Sequence, residues 1–185
     1  MRRDEQIEYL KKITRSIRDY PKAGIIFRDL TTIFQDRRAF SMAVQLMNNS
    51  LDAQSSNEGS FDKFAGIEAR GFVLAGALAA KTEKGLVLLR KPGKLPHETL
   101  GVKYQLEYGE DALEIHKDAV LPGEKVVVVD DLLATGGTAE AACQLVEMLG
   151  GIVSKVLFLV ELPDLQGRKK LAHHQVDAIF AFEGQ

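Results

Sequence analysis

The sequence predicts an α/β protein: one domain over residues 1–185, with a central, mainly parallel sheet flanked by helices, a small N-terminal segment (residues 1–35), and a hairpin-type β excursion. Three observations carry this. Short β-branched and apolar runs alternate with segments of helical periodicity. Residues 126–129 are four consecutive valines, the unbroken apolar run of a strand buried on both faces. Two carboxylates, Asp130 and Asp131, then stand where that strand is expected to end, and Thr135-Gly136-Gly137-Thr138 opens a helix.

In chain order, Ile7, Leu10, Ile13 and Ile17 share one face of a helix expected over residues 4–18. Tyr20-Pro21-Lys22-Ala23-Gly24 breaks it and leads into the short apolar segment Ile25-Ile26-Phe27, which ends at Arg28-Asp29. A second helix is expected over residues 39–51, then a polar surface loop over 52–60. Strands are expected at 64–67 and 86–89 with an Ala/Gly-rich helix, 72–81, between them. Residues 101–116 carry two short β-like stretches around Tyr108-Gly109. After strand 126–129, Ala142, Leu145, Val146 and Leu149 mark the next helix. A buried strand at 156–160, a short helix at 165–172 and a last strand at 176–182 complete the chain, with Asp164 and Arg168 read as an i, i+4 surface pair.

Composition excludes several classes. Hydrophobic residues make up 45% and charged residues 27% of the 185, ordinary values for a globular protein. A net charge of −2 and a pI near 6.1 supply no field that would recruit nucleic acid. Neither a secretory signal nor an apolar run long enough to span a membrane is visible, so the expectation is cytoplasmic. The lone cysteine, Cys143, reads as a packed residue. His97, His116, His173 and His174 lack metal or triad spacing.

The chemistry concentrates at expected carboxyl ends of strands, where ligands of parallel sheets bind. In the segment Ala134, Thr135, Gly136, Gly137 and Thr138, glycines let backbone N–H groups approach a ligand, hydroxyls add donors, and the helix start favours an anion. Asp130 and Asp131 beside it can accept hydrogen bonds from a vicinal diol. A phosphate cradle next to a diol binder fits a phosphorylated ribose. Arg70, in Glu68-Ala69-Arg70-Gly71, offers a fork of donors for a diphosphate and Gly71 allows a ligand close to the backbone, although alone this stretch reads as a helix start with a solvated arginine. Arg90, Lys91 and Lys94 place three cations on a Pro/Gly-shaped loop after the neighbouring strand. Phe27, between Ile26 and Arg28, is either core or a stacking face for a planar base. Glu107 is a general acid/base if the excursion folds over the site, and otherwise an exposed carboxylate.

Five stretches together resemble the adenine phosphoribosyltransferases among the type I phosphoribosyltransferases. They are YPKAGIIFRDLT (20–31), GIEARGF (66–72), RKPGKLP (90–96), LEYG with LEIH (106–116) and VVVVDDLLATGGT (126–138). Ala23, where the family often has proline, and His97, at a variable position, depart from the pattern without touching these residues. The resemblance implies the type I fold with residues 1–35 including a base-binding hood, and the conversion of adenine and phosphoribosyl pyrophosphate (PRPP) to AMP and pyrophosphate. It implies a homodimer, and Mg²⁺ held by PRPP and water rather than directly by protein. By the same resemblance, Ala134 to Thr138 bind the 5′-phosphate and Asp130 and Asp131 the ribose. Glu68, Ala69, Arg70, Arg90, Lys91 and Lys94 bind pyrophosphate, and Ile26, Phe27, Arg28 and Leu132 bind adenine. Glu107, Arg70, Asp130 and Asp131 are the implied catalytic set, Tyr108 belongs to a loop that closes over the site, and the Glu68–Ala69 peptide is expected to be cis.

Two rival readings remain at this level. A transferase for hypoxanthine, guanine, xanthine or orotate shares the PRPP motif; against the oxopurine reading, Lys155 opens its strand instead of lying near the carboxyl end. A PRPP-sensing regulator also shares the fold, but no added basic surface is visible in this chain.

Overall fold

The computed structural model describes residues 1–52, 61–106 and 109–184. Its centre is a five-stranded, wholly parallel sheet built from β3 (Lys63–Ile67), β4 (Gly85–Leu89), β7 (Lys125–Leu133), β8 (Ile152–Glu161) and β9 (Val176–Ala181), in the spatial order β4-β3-β7-β8-β9. Helices α1 (Arg3–Ile13), α3 (Arg37–Asp52) and α4 (Arg70–Thr82) join one core, and α5 (Gly137–Met148) joins the other together with the hairpin β5 (Thr99–Leu106) and β6 (Gly109–His116). The valine run sets this division by its period of two. Val127 and Val129 enter the core with Leu74 and Leu78 of α4, while Val126 and Val128 enter the core with Leu145 and Val146 of α5. The α/β architecture expected from the strand–helix alternation is the one found.

Several elements differ from the sequence expectation. The first helix stops at Ile13, and 15–18 form β1 (Arg15–Arg18), paired antiparallel with β2 (Ile26–Asp29) so that Ile17 faces Phe27. Ile13 and Ile17 keep a helical spacing, but a four-residue tail is too short for periodicity to decide, and pairing with β2 decides it. A short helix α2 (Thr31–Gln35) was not expected; Asp29 starts it by accepting hydrogen bonds from the Thr31 amide at 3.0 Å and hydroxyl at 2.6 Å. The helix expected from 39 begins at Arg37, with Asp36 accepting from the Ala39 amide at 2.7 Å. The short helix expected over 165–172 is two 3₁₀ helices, Pro163–Leu165 and Gly167–Lys169. There Arg168 binds Glu161 at 2.7 Å and the Val176 carbonyl at 2.8 Å, and Asp164 accepts from the Gly184 amide at 2.9 Å. Cys143 is buried as expected, and burial pushes its thiol pKa up to about 12.

Candidate active site

Strand order locates the site. From β3 the chain moves outward to β4 on one side, and from β7 through β8 to β9 on the other, so the sheet's switch point lies between β3 and β7. Pairing of β3 with β7 ends at Gly66–Val129, but β7 stays paired with β8 as far as Leu133–Glu161. The strand therefore runs four residues past the valines, and Asp130 and Asp131 lie within it, not at its end as expected. From Asp130 onward one edge of β7 lacks β3, and a crevice opens there.

Three segments converge on the crevice. After β3 comes the loop Glu68-Ala69, whose peptide bond is cis, followed by Arg70 at the start of α4. A β-carbon on Gly71 would lie 2.8 Å from the Val129 carbonyl oxygen and 2.9 Å from Asp130 Oδ1. Its missing side chain thus seats α4 against β7, where the sequence reading had a ligand approaching. The cleft, about 390 Å³, is lined by Glu68, Ala69, Arg70, Lys91, Asp130, Asp131 and Thr138, and also by Tyr104 and Asp111. The last two escaped the sequence reading. Counting outward from the Leu106–Gly109 pair sets Tyr104 directly opposite Asp111, so the hairpin register was the signal available.

Charges in the cleft are paired. Arg70 Nε lies 2.5 Å from Asp131 Oδ2, out of line for a hydrogen bond, and Asp131 is only 3% exposed. Asp130 accepts from the Asp131 amide at 2.8 Å. Burial, and then the adjacent Asp131 charge, raise the Asp130 pKa well above the usual carboxylate range. Glu68 moves the other way. It accepts from the Lys91 amide at 2.9 Å and from Arg90 at 3.3 Å, and these bonds lower its pKa. Arg90 also donates to the Lys94 carbonyl at 2.9 Å, so its head is committed to shaping the basic loop, while the Lys94 residue is exposed. Lys91 reaches into the cleft, where Nζ meets Asp111.

The glycine turn folds as its sequence suggests. Gly136 has φ +81°, a left-handed conformation suited to glycine, and α5 begins at Gly137 with no side-chain cap. First-turn amides with no side-chain acceptor leave an anion-favouring helix start. The turn is also packed: a β-carbon on Gly167 would lie 2.8 Å from Leu133 Cδ1 and overlap the Ala134 carbonyl. Gly167→Ala is therefore expected to destabilise the fold by about 1–3 kcal/mol through overpacking, seen as a lower Tm together with a raised KM for PRPP.

The N-terminal segment approaches the cleft at Arg70 and does not line it. The Phe27 ring meets Tyr20 edge-on at 5.2 Å, and the Arg70 guanidinium lies 5.8 Å from its centroid. Arg28 points elsewhere, donating to Ser16 Oγ at 2.7 Å and lying 4.4 Å from the Phe182 ring. Ile26 is half-buried in β2. Leu132 follows Asp131 and packs, half-buried, against the α4-side core. Glu107 and Tyr108 lie outside the described residues.

A phosphoribosyl transferase domain model matches residues 33–177. The adenine phosphoribosyltransferase of a Chelativorans species is 52% identical over 173 residues, 92% of this chain and 92% of its own. The crystal structure of the Thermoanaerobacter pseudethanolicus adenine phosphoribosyltransferase superposes with TM-score 0.88 at 49% identity, over 95% of this chain and 99% of that one. The chain belongs to the adenine phosphoribosyltransferase family. The Saccharomyces cerevisiae enzyme, complexed with an imino-altritol bisphosphate and adenine, is 36% identical with TM-score 0.90, covering 95% of this chain and 99% of that one.

An adenine phosphoribosyltransferase converts adenine and PRPP to AMP and pyrophosphate, a step of purine salvage, and the family assigns that activity to this chain. The oxopurine alternative loses its lysine as well. Lys155 is buried near the amino end of β8, donating to the Ser50 carbonyl and to Asp177, both at 2.8 Å, away from the cleft.

Proposed function

We propose that the β3–β7 cleft is where this adenine phosphoribosyltransferase works, with residues 1–185 acting as one domain whose first 35 residues supply the base-binding hood. The observation that carries this reading is the Arg70–Asp131 pair, which sets a diphosphate-binding cation against a ribose-binding acid between Phe27 and the glycine turn. The Ala134, Thr135, Gly136, Gly137 and Thr138 segment receives the 5′-phosphate on uncapped amides. Asp130 and Asp131 accept from the ribose hydroxyls, and their charge favours the oxocarbenium-like transition state at the anomeric carbon. Arg70 and Lys91 balance charge growing on the departing pyrophosphate, with Glu68 and Arg90 holding the Lys91 loop and Lys94 adding long-range charge. Phe27 and Leu132 sandwich adenine, backbone at Ile26 and Arg28 reads its edge, and Glu107, with Tyr108 in the same loop, takes the base proton.

The donor set fits Mg²⁺ delivered with the substrate. No three acidic, histidine or cysteine groups among the described residues form a metal cage, and the cleft alternates carboxylates with cations, which suits a hydrated ion carried on diphosphate. Asp130 and Asp131 are the residues that would face it through ribose or water. When bound, Mg²⁺ neutralises diphosphate charge. A cytoplasmic homodimer completes the reading. The dimer, though not the compartment, is supported by Leu86 and Leu88 of the edge strand β4 and Val73 of α4, which are 42, 38 and 43% exposed.

The test is AMP formation with PRPP and Mg²⁺, with hypoxanthine, guanine and orotate as competitors. Adenine alone should turn over; preferential use of hypoxanthine sinks the reading. Stacking on an aromatic contributes about 1–3 kcal/mol per base, so Phe27→Ala should raise KM for adenine about tenfold while KM for PRPP stays within about twofold.

A further inference from the structure

Three cations line or shape the cleft, and each meets a carboxylate: Arg70 meets Asp131, Arg90 meets Glu68, and Lys91 meets Asp111. A diphosphate entering such a cleft must compete with these acids. They differ in what they keep if their cation moves. Asp131 Oδ2 has no hydrogen bond, so losing Arg70 strands a buried charge. Arg90 is tied additionally to the Lys94 carbonyl and, through its backbone, to Glu114. Asp111 is better provided. Its Oδ2 lies 3.3 Å from the Tyr104 hydroxyl, and its Oδ1 accepts from the Ala112 amide at 2.8 Å. Lys91, on a flexible stem with a side chain 38% exposed, can therefore leave Asp111 without orphaning it.

We propose that Asp111 is a positioning residue that competes with diphosphate for Lys91, holding the ammonium in the cleft and setting how tightly pyrophosphate is bound. Tyr104 is the exchange partner. Only 9% exposed and opposite Asp111 in the hairpin register, its hydroxyl also lies 3.3 Å from Lys91 Nζ, so it can bond whichever arrangement prevails. The hairpin that carries Asp111 and Tyr104 is thereby tied to the basic loop. Release of Lys91 to diphosphate breaks that tie, and departure of pyrophosphate restores it. This rests on the reading of Lys91 as a pyrophosphate ligand.

Calorimetric titration of the full chain with magnesium pyrophosphate reads the competition directly, alongside KM for PRPP. Asp111→Asn should tighten pyrophosphate about fivefold, the effect of one partly exposed ion pair, and lower KM for PRPP by a similar factor. Tyr104→Phe removes the hydroxyl that shares Asp111 and should act oppositely, weakening pyrophosphate about two- to fivefold. Opposite signs from two touching residues are not what a merely structural role produces. In a Lys91→Ala background, Asp111→Asn should change nothing. If Lys91→Ala weakens pyrophosphate but Asp111→Asn leaves it unchanged or weaker, the competition is overturned and the Lys91 reading stands. If Lys91→Ala has no effect, both fall. Should Asp111→Asn fail to fold, the sign of Tyr104→Phe decides alone.

Discussion

Arg70→Ala is expected to lower kcat by about two to three orders of magnitude, the usual loss for one preorganised charge-stabilising donor. The guanidinium lies 2.5 Å from Asp131 and 5.8 Å from the Phe27 ring centroid, the residues proposed to bind ribose and adenine. Growing charge on the departing diphosphate meets it without reorganisation. The substitution also leaves Asp131, 3% exposed, without its cation. Orphaning a buried charge costs about 3–5 kcal/mol, but the Arg70 side chain is 37% exposed and water screens part of the pair. The stability loss should therefore fall below that range. Arg70→Lys separates the two effects. It keeps a positive charge near Asp131 and should recover most of the Tm, yet it lacks the planar fork and should recover little of kcat. AMP formation and thermal melting on the three proteins check this. If Arg70→Ala keeps more than about a tenth of wild-type kcat, the charge-stabilising role is wrong.

How far the sequence alone reached follows from what each signal depends on. The valine run and the glycine turn were legible because local physics decides them: unbroken β-branched residues admit few settings besides a doubly covered strand, and Gly136 at φ +81° occupies a conformation that side chains resist. β1 was not legible, because Ile17 satisfies a helical period and becomes a strand residue only through pairing with Phe27. α2 and the true start of α3 carried small signals, Asp29 before Thr31 and Asp36 before Ala39, that hydrophobic periodicity does not weigh. In the site, chemistry-bearing residues at strand ends could be named from the sequence, but their pairing could not. That Arg90 spends its head on Glu68 and the Lys94 carbonyl while Lys91 turns toward Asp111 depends on how β6 bridges the loop at Arg90–Glu114. The Gly71 contact with Val129 was not legible, because close approach to a neighbouring strand and close approach to a ligand demand the same missing β-carbon.

Asp130→Asn is expected to make the protein more stable and much less active. Burial, and then the Asp131 charge, hold the Asp130 pKa above its unfolded value, so between those two values the folded chain binds the proton more tightly than the unfolded one. The sign follows. The stability this group contributes is fully present below the unfolded pKa, near 3.9, and is lost as pH rises through the raised folded value. Above the unfolded pKa the Asp130 carboxyl is a net cost to the fold. Asparagine removes that cost and keeps an oxygen for the Asp131 amide, which now bonds Asp130 at 2.8 Å. Relief of such functional strain commonly gives about 0.5–2 kcal/mol, a Tm gain of a few degrees for a chain this long. The gain should vanish near pH 3, where the carboxyl is protonated in both states. Activity should fall about a hundredfold or more, because the amide no longer offers negative charge to the ribose. Asp131→Asn should reverse the stability sign, since it strips Arg70 of its carboxylate. Two adjacent acids with opposite effects on Tm and a shared loss of kcat would tie the strain at the end of β7 to catalysis. If Asp130→Asn melts lower than wild type at pH 7, the carboxylate is not strained as argued.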